Sequence, residues 1–253
     1  MAPATRPKIT HDNGHLVLGR REPVAGDYAA LAKWRAMLNV GETLRPDLTD
    51  ALAAYRHFLD GGGKPRVFSY ERYVMSDVSG QTTLWNAILD FQDATQRIYL
   101  KDPSQYQFPV TGNAIPCGAP AGKYPYLSAM FPYPSTENWQ KAIGAHQIWI
   151  SGEVKAHKAP NSNGEVLFEA IMILHAEDRY NFNVSDADIA TGLPDSDNGR
   201  FERVGWGHQY DHFSTLQRYL KWKGFTLGVA VAVSPNTTRM RQPKDNRRLR
   251  NRL

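Results

Sequence analysis

The spacing of apolar residues changes along the chain, from a helical period to a strand period. Before residue 103 they recur every three or four positions, which predicts helices over 28–40, from Asp47 or Thr49 to Gly61, and over 79–99. Asp27 is the expected N-cap of the first of these. After residue 135 the period becomes two. The sequence therefore predicts an α+β fold, with N-terminal helices followed by a C-terminal antiparallel β-sheet.

The strand region reads as two hairpins. Strands are expected at 147–155, 165–175, 215–223 and 226–233. Asn163-Gly164 separates the first two, and Asn-Gly favours the positive dihedral angles of a tight turn. On this reading Ile148, Ile150 and Val154 contribute to a buried face, with a bulge after Ile150.

Composition and the spacing of apolar residues divide the chain into five parts. They are a mobile leader at 1–23, a helical region at 24–102, a loop region rich in Pro, Gly and aromatics at 103–134, a β-rich catalytic or binding region at 135–236, and a basic tail at 237–253. A short helix capped by Ser135 or Thr136 opens the β-rich part. Strand ends and loops within that part are where we expect a functional site.

Charge is concentrated at the C-terminal end. The isoelectric point is about 9.2. Residues 239–253 hold seven basic residues and one acidic residue, a net charge of +6, while the net charge of the whole chain is +5. The remaining residues carry about −1. The tail has no aromatic residue to stack on bases, so a solvated, disordered end is favoured over a nucleic-acid arm, and contact with an anionic membrane stays open.

Cysteine usage and hydropathy exclude several classes. Cys117 is the single cysteine, so there is no intramolecular disulfide and no thiolate zinc site. It is either a small core residue or, with His146 downstream, half of a Cys–His pair, and the core interpretation is favoured. No apolar run reaches the ~18 residues of a membrane span, and the first residues lack the apolar core of a secretory signal.

A polar cluster follows the second predicted strand. Asp178, Tyr180 and Asn181 lie where that strand is expected to end. A carboxylate there could act as a base or hold a cation, while the hydroxyl and amide could bind a phosphate or sugar. Alternatively, Asp178 pairs with Arg179 or Arg200 and the asparagines satisfy turn backbone.

Two further sets of residues suggest metals, and both suggestions are weak. The acidic loop lacks the spacing of a calcium loop, so turn chemistry is preferred for it, with Asp197 or Asn198 capping a short helix over 199–206. His208 and His212 are four residues apart, as helical ligands can be, but Gly205 and Gly207 weaken a helix there. His208 is favoured as an acid or a phosphate donor. The acidic loop contains Asp186, Asp188, Asp195, Asp197 and Asn198.

Three runs of sequence resemble a known family. They are His175-Ala-Glu-Asp-Arg-Tyr-Asn-Phe-Asn183, Asp188-Ile-Ala-Thr-Gly192, and Asn198-Gly-Arg-Phe-Glu202 with Gly205-Trp206. Together they resemble C-terminal toxin modules of bacterial antagonism systems and, more distantly, the colicin M family. That family's signature is Asp-x-Tyr-Asp followed closely by His-Arg. Asp178 and Tyr180 match it, Asn181 replaces the second aspartate, and no His-Arg pair follows at the family's spacing.

The resemblance implies an antibacterial effector that hydrolyses a phosphodiester or pyrophosphate in a lipid-linked peptidoglycan precursor. Asp178 would be the base or cation ligand, Arg200 would stabilise phosphate charge, and His208 would assist catalysis. Substrate would be positioned by Tyr180, Asn181, Asn183 and Trp206. Mg2+ as cofactor, an immunity protein as partner, and export by a specialised secretion system to the target cell envelope are further expectations.

Two alternatives remain open at this point. The β half could be a non-catalytic module that binds glycan or protein through Trp149, Trp206, Trp222 and the tyrosine-rich loop at 124–133. The chain could instead be a membrane-perturbing toxin that acts through its basic tail and the apolar segment near residue 225.

Overall fold

The computed structural model describes residues 5–158, 165–228 and 231–233. Within these ranges seven α-helices form: α1 (Ala25–Leu44), α2 (Thr49–Asp60), α3 (Tyr70–Ser76), α4 (Val78–Lys101), α5 (Pro125–Met130), α6 (Glu137–Ala142) and α7 (Ser196–Val204). The strands are β1 (Arg66–Val67), β2 (Gln107–Thr111), β3 (Ile115–Cys117), β4 (His146–Lys158), β5 (Val166–Tyr180), β6 (Tyr210–Lys223) and β7 (Val231–Val233). Short 3-10 turns occupy Gly14–Leu18 and Pro46–Leu48.

All these strands join one mostly antiparallel sheet, which confirms the α+β prediction. Its order is β1-β6-β5-β4-β2, with β3 also paired to β4 and β7 to β6. Only the β1–β6 pair is parallel. The long strands β4, β5 and β6 lie side by side and form the frame of the molecule.

One face of the sheet carries the main hydrophobic core. Because side chains alternate along a strand, the even-numbered residues of β5 and β6 share this inner face. Phe168, Met172 and Leu174 of β5 are completely buried there. The long helix α4 covers them with Leu84, Ile88 and Phe91.

A second, smaller cluster lies between the helices and the ends of β5 and β6. Phe58 of α2 and Phe201 of α7 are completely buried in it, and Tyr210 of β6 is nearly so. Phe182 packs against Phe58 with ring centroids 5.0 Å apart. This cluster fixes α7 and the chain leaving β5 against α2, which defines the surroundings of the candidate site.

The N-terminal segment departs from the prediction of a mobile leader. Arg6 forms an ion pair with Glu177 of β5 at 2.5 Å, and His15 is buried with its ring nitrogen donating to the Phe182 carbonyl at 2.8 Å. Gly14, at φ +49°, lies so close to the Phe182 carbonyl that a Cβ would collide with it. These anchors of residues 5–23 are isolated polar contacts, which leave no periodic pattern in the sequence.

The region at 103–134 is more regular than the predicted loop. It contains β2, β3 and α5, and both strands pair with β4. Pro109 and Pro116 lie within these strands. Proline is tolerated in edge strands. Because these strands are short and contain proline, their sequence pattern predicted a loop.

The helix limits agree with the predictions except at two caps. Helix α1 begins at Ala25, and Asp27 is its third residue, where the carboxylate accepts from the Val24 backbone N–H at 2.9 Å. Helix α7 begins at Ser196 and not at Gly199, with Asp195 as its N-cap. Helix α6 begins after Thr136, as expected.

The predicted strands at 147–155, 165–175 and 215–223 are confirmed, with two corrections. Of the strand predicted at 226–233, residues 226–228 are not strand and β7 comprises Val231–Val233. Strands β4 and β5 pair in an unbroken register from Gln147↔Glu177 to Lys158↔Val166, so the expected bulge after Ile150 is absent from this pair. Ile148, Ile150 and Val154 are buried, as predicted. The Asn163-Gly164 turn and the basic tail lie outside the described residues. Among the described residues no helix has the length and apolarity to cross a membrane.

The docking of the N-terminal segment on α7 gives a test by substitution. A Cβ at Gly199 would run into the buried His15 ring, whereas one at Gly26 in α1 meets nothing within 4 Å. Alanine normally stabilises a helical position relative to glycine. We therefore expect Gly26→Ala to be neutral or stabilising and Gly199→Ala to lower the free energy of unfolding by about 1–3 kcal/mol, measured by urea denaturation. Equal effects of the two substitutions would contradict this docking.

Candidate active site at the ends of β5 and β6

The candidate site is built where β5 and β6 run past the main core. Their register places Asp178 opposite His212 and Tyr180 opposite Tyr210. All four residues are even-numbered and share the inner face. Directly opposed residues on one face have Cβ atoms about 4.5–5.5 Å apart. The strand pair therefore presents a carboxyl, an imidazole and two phenols together.

His212 is held as a neutral imidazole. It is completely buried, and Arg66 of β1 donates from Nη1 to its Nε2 at 2.9 Å. A guanidinium only donates, so Nε2 is the acceptor and the ring proton resides on Nδ1. Burial, and then the nearby Arg66 charge, lower the pKa of His212 to about 3. This histidine can donate a hydrogen bond without carrying a charge.

Asp178 is in the opposite electrostatic situation. It is half-buried at the end of β5, and loss of hydration raises the pKa of its carboxyl well above the usual range. Asp12 and Asp211 add to the increase, because a neighbouring negative charge disfavours ionisation. The N-terminal segment, which carries Asp12, covers this end of the sheet and shields the carboxyl from water. Asp178 is held toward its neutral, proton-donating form.

The two tyrosines stack beside this pair. The rings of Tyr180 and Tyr210 are 5.2 Å apart and inclined by 13°. The Tyr210 hydroxyl donates to the Ala54 carbonyl of α2 at 2.9 Å. Burial raises the pKa of both phenols, so both remain protonated. They supply a rigid aromatic wall whose position is set by α2.

The loop after β5 closes one side of the site. Lys141 of α6 forms an ion pair with Asp188 at 2.6 Å. Asp188 also accepts from the Thr191 backbone N–H at 2.7 Å. Burial raises the pKa of Tyr133, and negative charge from Asp188 and Asp178 raises it further, which places this hydroxyl within electrostatic range of both. Lys141 thus brings a cation to the loop that borders Asp178.

The two asparagines hold the backbone where the chain leaves β5. Asn181 donates through its side chain to Asp12, and the Asn183 backbone N–H donates to Asp195 at 3.0 Å. These are structural contacts of the turn type. Neither contact precludes a role in substrate binding, which remains a prediction for both residues.

Hydrogen bonds also account for the side chains of Asp188, Asp195 and Asn198 in the acidic loop. Asp188 and Asp195 accept backbone hydrogen bonds, and Asn198 accepts from the Tyr55 hydroxyl at 2.6 Å. Within residues 5–158 and 165–228 no three carboxylate, histidine or cysteine side chains come together as a ligand set. The arrangement does not supply a preformed cage for Mg2+ or Ca2+, and Asp178, held toward neutrality, is a poor ligand.

Arg200 and Trp206 lie on the α7 side of the molecule. The ion pairs of Arg200 within the described chain are with Asp27 and Asp197, each at 3.9 Å, and none is with Asp178. Trp206 packs on Tyr28 of α1, with centroids 4.7 Å apart. The role of Arg200 in stabilising phosphate charge and that of Trp206 in positioning substrate therefore stay predictions.

His208 precedes β6 and lies against the end of α2. Its backbone N–H donates to the Phe58 carbonyl at 2.9 Å. His212 is inside a strand, so the helical spacing that would pair the two as metal ligands does not exist. This agrees with the sequence analysis, which disfavoured a joint metal site: α7 ends at Val204 with Gly205 as its C-cap, and the chain then becomes a strand.

The Cys–His hypothesis fails on electrostatics, although the two residues do meet. Cys117 of β3 lies directly opposite His146 of β4. Burial raises the pKa of the thiol and lowers that of His146 to about 4. Both groups are neutral in the core, and no thiolate nucleophile is available. The interpretation of Cys117 as a core residue is confirmed.

The tryptophans do not form an exposed binding platform. Trp222 is packed in the core against Phe168, with centroids 5.0 Å apart. Trp149 is also buried, and it stacks on His175 at 3.6 Å. Neither side chain is available as a binding platform, because Trp222 lies on the inner face of β6 and the His175 ring covers Trp149.

Sequence reasoning missed three of the residues around Asp178. His212 was weighed only as a metal ligand, and Arg66, Tyr133 and Lys141 were not singled out. Strand alternation over residues 210–223 was the signal that could have placed His212 inward. The others come from distant parts of the chain, and only the fold brings them together.

Comparisons with known proteins give one match. No family model matches this chain, and no curated protein does. Among solved structures the chain is similar to PaeM, described as a colicin M-like bacteriocin produced by Pseudomonas aeruginosa, with 16% identity and a TM-score of 0.40. The match covers 70% of this chain and 51% of that one, so this chain spans about half of that protein's length.

Glu202 of α7 gives a test of the electrostatics next to the site. It is buried, its Oε1 accepts from the Phe182 backbone N–H at 3.3 Å, and burial raises its pKa to about 7. The folded protein therefore holds a proton that the unfolded chain releases near pH 4.5. Stability contributed by this residue is greatest at acidic pH and is lost as pH rises from about 4.5 through about 7.

We expect Glu202→Gln, which cannot ionise, to be more stable than the natural protein by on the order of 2–3 kcal/mol at pH 8. The difference should shrink toward zero near pH 5. Melting temperatures across this range measure it, with Glu22→Gln at an exposed position as the matched control. A difference independent of pH would show that Glu202 does not titrate as described.

Proposed function

We propose that this protein is an antibacterial effector toxin that hydrolyses a phosphodiester or pyrophosphate bond in a lipid-linked peptidoglycan precursor. The observation that carries the proposal is the Asp178–His212 pair. The aspartate that the sequence resemblance selects lies in a dehydrated strand end, opposite a neutral imidazole and beside two protonated phenols. Titratable groups with strongly shifted pKa values gather at active sites.

The chemistry suited to this arrangement is general acid catalysis. A water oxygen attacks phosphorus while the bond from phosphorus to the leaving oxygen breaks. Asp178, protonated before the step, gives its proton to the leaving oxygen. The attacking water then loses a proton to the Asp178 carboxylate, which restores the enzyme. The role as acid replaces the role as base that the motif alone implied, because burial holds the carboxyl protonated.

Neighbouring groups would position the phosphate and offset its charge. His212 and Tyr180 offer neutral hydrogen-bond donors that need no compensating ion. Lys141 provides a positive charge on the loop beside the site. Arg200, held only by ion pairs at 3.9 Å, is free of a bidentate partner, and its role in stabilising phosphate charge is part of the proposal.

Other expectations from the resemblance accompany this proposal. They are export to the target cell envelope, an immunity protein, assistance by Mg2+, and contact of the basic tail with anionic membrane. We derive no step through Mg2+. Turnover measured in EDTA and again after Mg2+ is restored would test that expectation, and deletion of residues 239–253 would test the membrane contact.

The decisive variant is Asp178→Asn. It keeps the shape of the neutral acid and removes the transferable proton. We expect hydrolysis of purified lipid-linked precursor to fall at least about a hundredfold, the usual size of a general acid's contribution. Because the ionised carboxylate is costly to bury, melting temperature at pH 8 should be unchanged or higher. The control is Asp93→Asn on α4, whose ion pair with Arg97 is far along the chain from the site.

The pH profile gives a second measurement on the natural protein. A general acid works only while protonated, so turnover should decrease as pH rises through the raised pKa of Asp178. A folded Asp178→Asn protein that is fully toxic, with unchanged turnover, would overturn the catalytic assignment. Binding of precursor without turnover would instead support a non-catalytic module, and leakage of liposomes would support a membrane-perturbing toxin.

A further inference from the structure

An open groove lies on the other side of His212 from Asp178. Its volume is about 530 Å³, within the range of sites for small molecules. Helix α2 forms one wall and β1 contributes Arg66 at the end. The charged side chains along it are Glu42, Arg45, Arg56, Asp60 and Arg66, with His57 beside them.

Both carboxylates in this groove are already neutralised. Arg56 binds Glu42 through two nitrogens, at 2.5 Å and 2.6 Å. Asp60 accepts from Arg35, outside the groove, at 2.8 Å. Negative charge in the groove is thus fully paired with arginine.

Arg45 is also paired, on its outer side. It contacts Asp47 at 2.7 Å and Glu137 at 2.8 Å. It borders the groove without a free charge of its own, and it serves as the internal comparison for the remaining arginine.

Arg66 differs from these arginines because its neighbours are neutral. It donates to the imidazole of His212, and the protonated phenol of Tyr210 is close by. Within residues 5–158 and 165–228 the ion pairs of groove arginines are those of Arg45 and Arg56, and Arg66 forms none with a carboxylate. A guanidinium has five N–H donors in a planar fork, so several remain for a ligand. Half-buried and uncompensated, Arg66 gives the groove its positive potential.

His57 is the histidine that lines the groove. Its ring lies edge-on to the buried Tyr210, with centroids 4.5 Å apart, and its Nε2 donates to the Lys64 carbonyl at 2.7 Å. His57 is thereby fixed in orientation.

We propose that this groove is a second ligand site that binds a phosphate or diphosphate group, with the Arg66 guanidinium as its anchor. The inference goes beyond the proposed hydrolysis, because it concerns a different cavity and does not require Asp178. An uncompensated guanidinium fork matches the geometry of a phosphate, which accepts two parallel hydrogen bonds. Arg66 donates one hydrogen bond to His212 from Nη1, which leaves its other N–H donors for the ligand.

The test is a titration of the full chain with inorganic pyrophosphate at low salt, followed by calorimetry or by backbone amide shifts. We expect Arg66→Gln to weaken binding about tenfold or more, since charged hydrogen bonds are lost. Arg45→Gln removes a groove arginine that is already paired and should bind within about twofold of the natural protein. Arg97→Gln, an exposed arginine of α4 outside the groove, controls for loss of overall charge.

Arg66→Lys keeps the positive charge but lacks the planar set of N–H donors of a guanidinium group. This variant replaces Arg66→Gln in the titration if Arg66→Gln does not fold. Several-fold weaker binding by this variant supports the proposal, and binding equal to that of the natural protein contradicts it. Equal losses in the Arg66→Gln and Arg97→Gln proteins would show that only overall charge matters. The absence of any pyrophosphate binding by the natural protein would also overturn the proposal.

A second arm identifies the source of the phosphate. Sedimentation with phosphatidylcholine vesicles that contain phosphatidylglycerol will depend on Arg66 if the groove takes a lipid headgroup. It will be independent of Arg66 if the ligand is a free or soluble phosphate. Asp178→Asn should leave pyrophosphate binding unchanged, so failure of the hydrolysis proposal and failure of this one give different results.

Discussion

The unbroken antiparallel register of β5 and β6 is the constraint on which the rest of the structure depends. Over most of its length this pair carries the main core on one face. The same alternation continues after the apolar residues end, so Asp178 and Tyr180 point to the side on which Phe168 and Met172 are buried. Asp178 and His212 therefore lie on a face from which water is excluded. This burial raises the pKa of Asp178 and lowers that of His212.

The N-terminal segment and α7 complete the environment that the sheet begins. His15 and Glu202 both contact the Phe182 backbone, one from the segment and one from the helix. They fix the chain as it leaves β5, two residues beyond Tyr180. The candidate site therefore depends on contacts among elements that are far apart in sequence, and its dehydration depends on the segment remaining docked.

Sequence alone could supply much of the fold and only part of the site. Helices α2 and α4 and strands β4 to β6 have clear periods, because burial of a continuous face imposes one. The segment at 5–23 and strands β2 and β3 have none, since single polar anchors and short proline-containing edges hold them. Asp178 was identifiable from its motif. Its protonation was not, because that depends on which distant residues exclude water around it.

The ion pair of Arg6 with Glu177 has a consequence for the neighbouring Asp178. Glu177 is buried in β5, and its carboxylate is also contacted by His11 at 3.2 Å. Arg6 and His11 therefore hold the N-terminal segment on β5 one residue from Asp178. Separation of these contacts would leave the buried Glu177 carboxylate without its charged partners and would admit water to the neighbouring strand end. Neutralisation of one outer-face carboxylate thus helps to keep the inner-face carboxyl dehydrated.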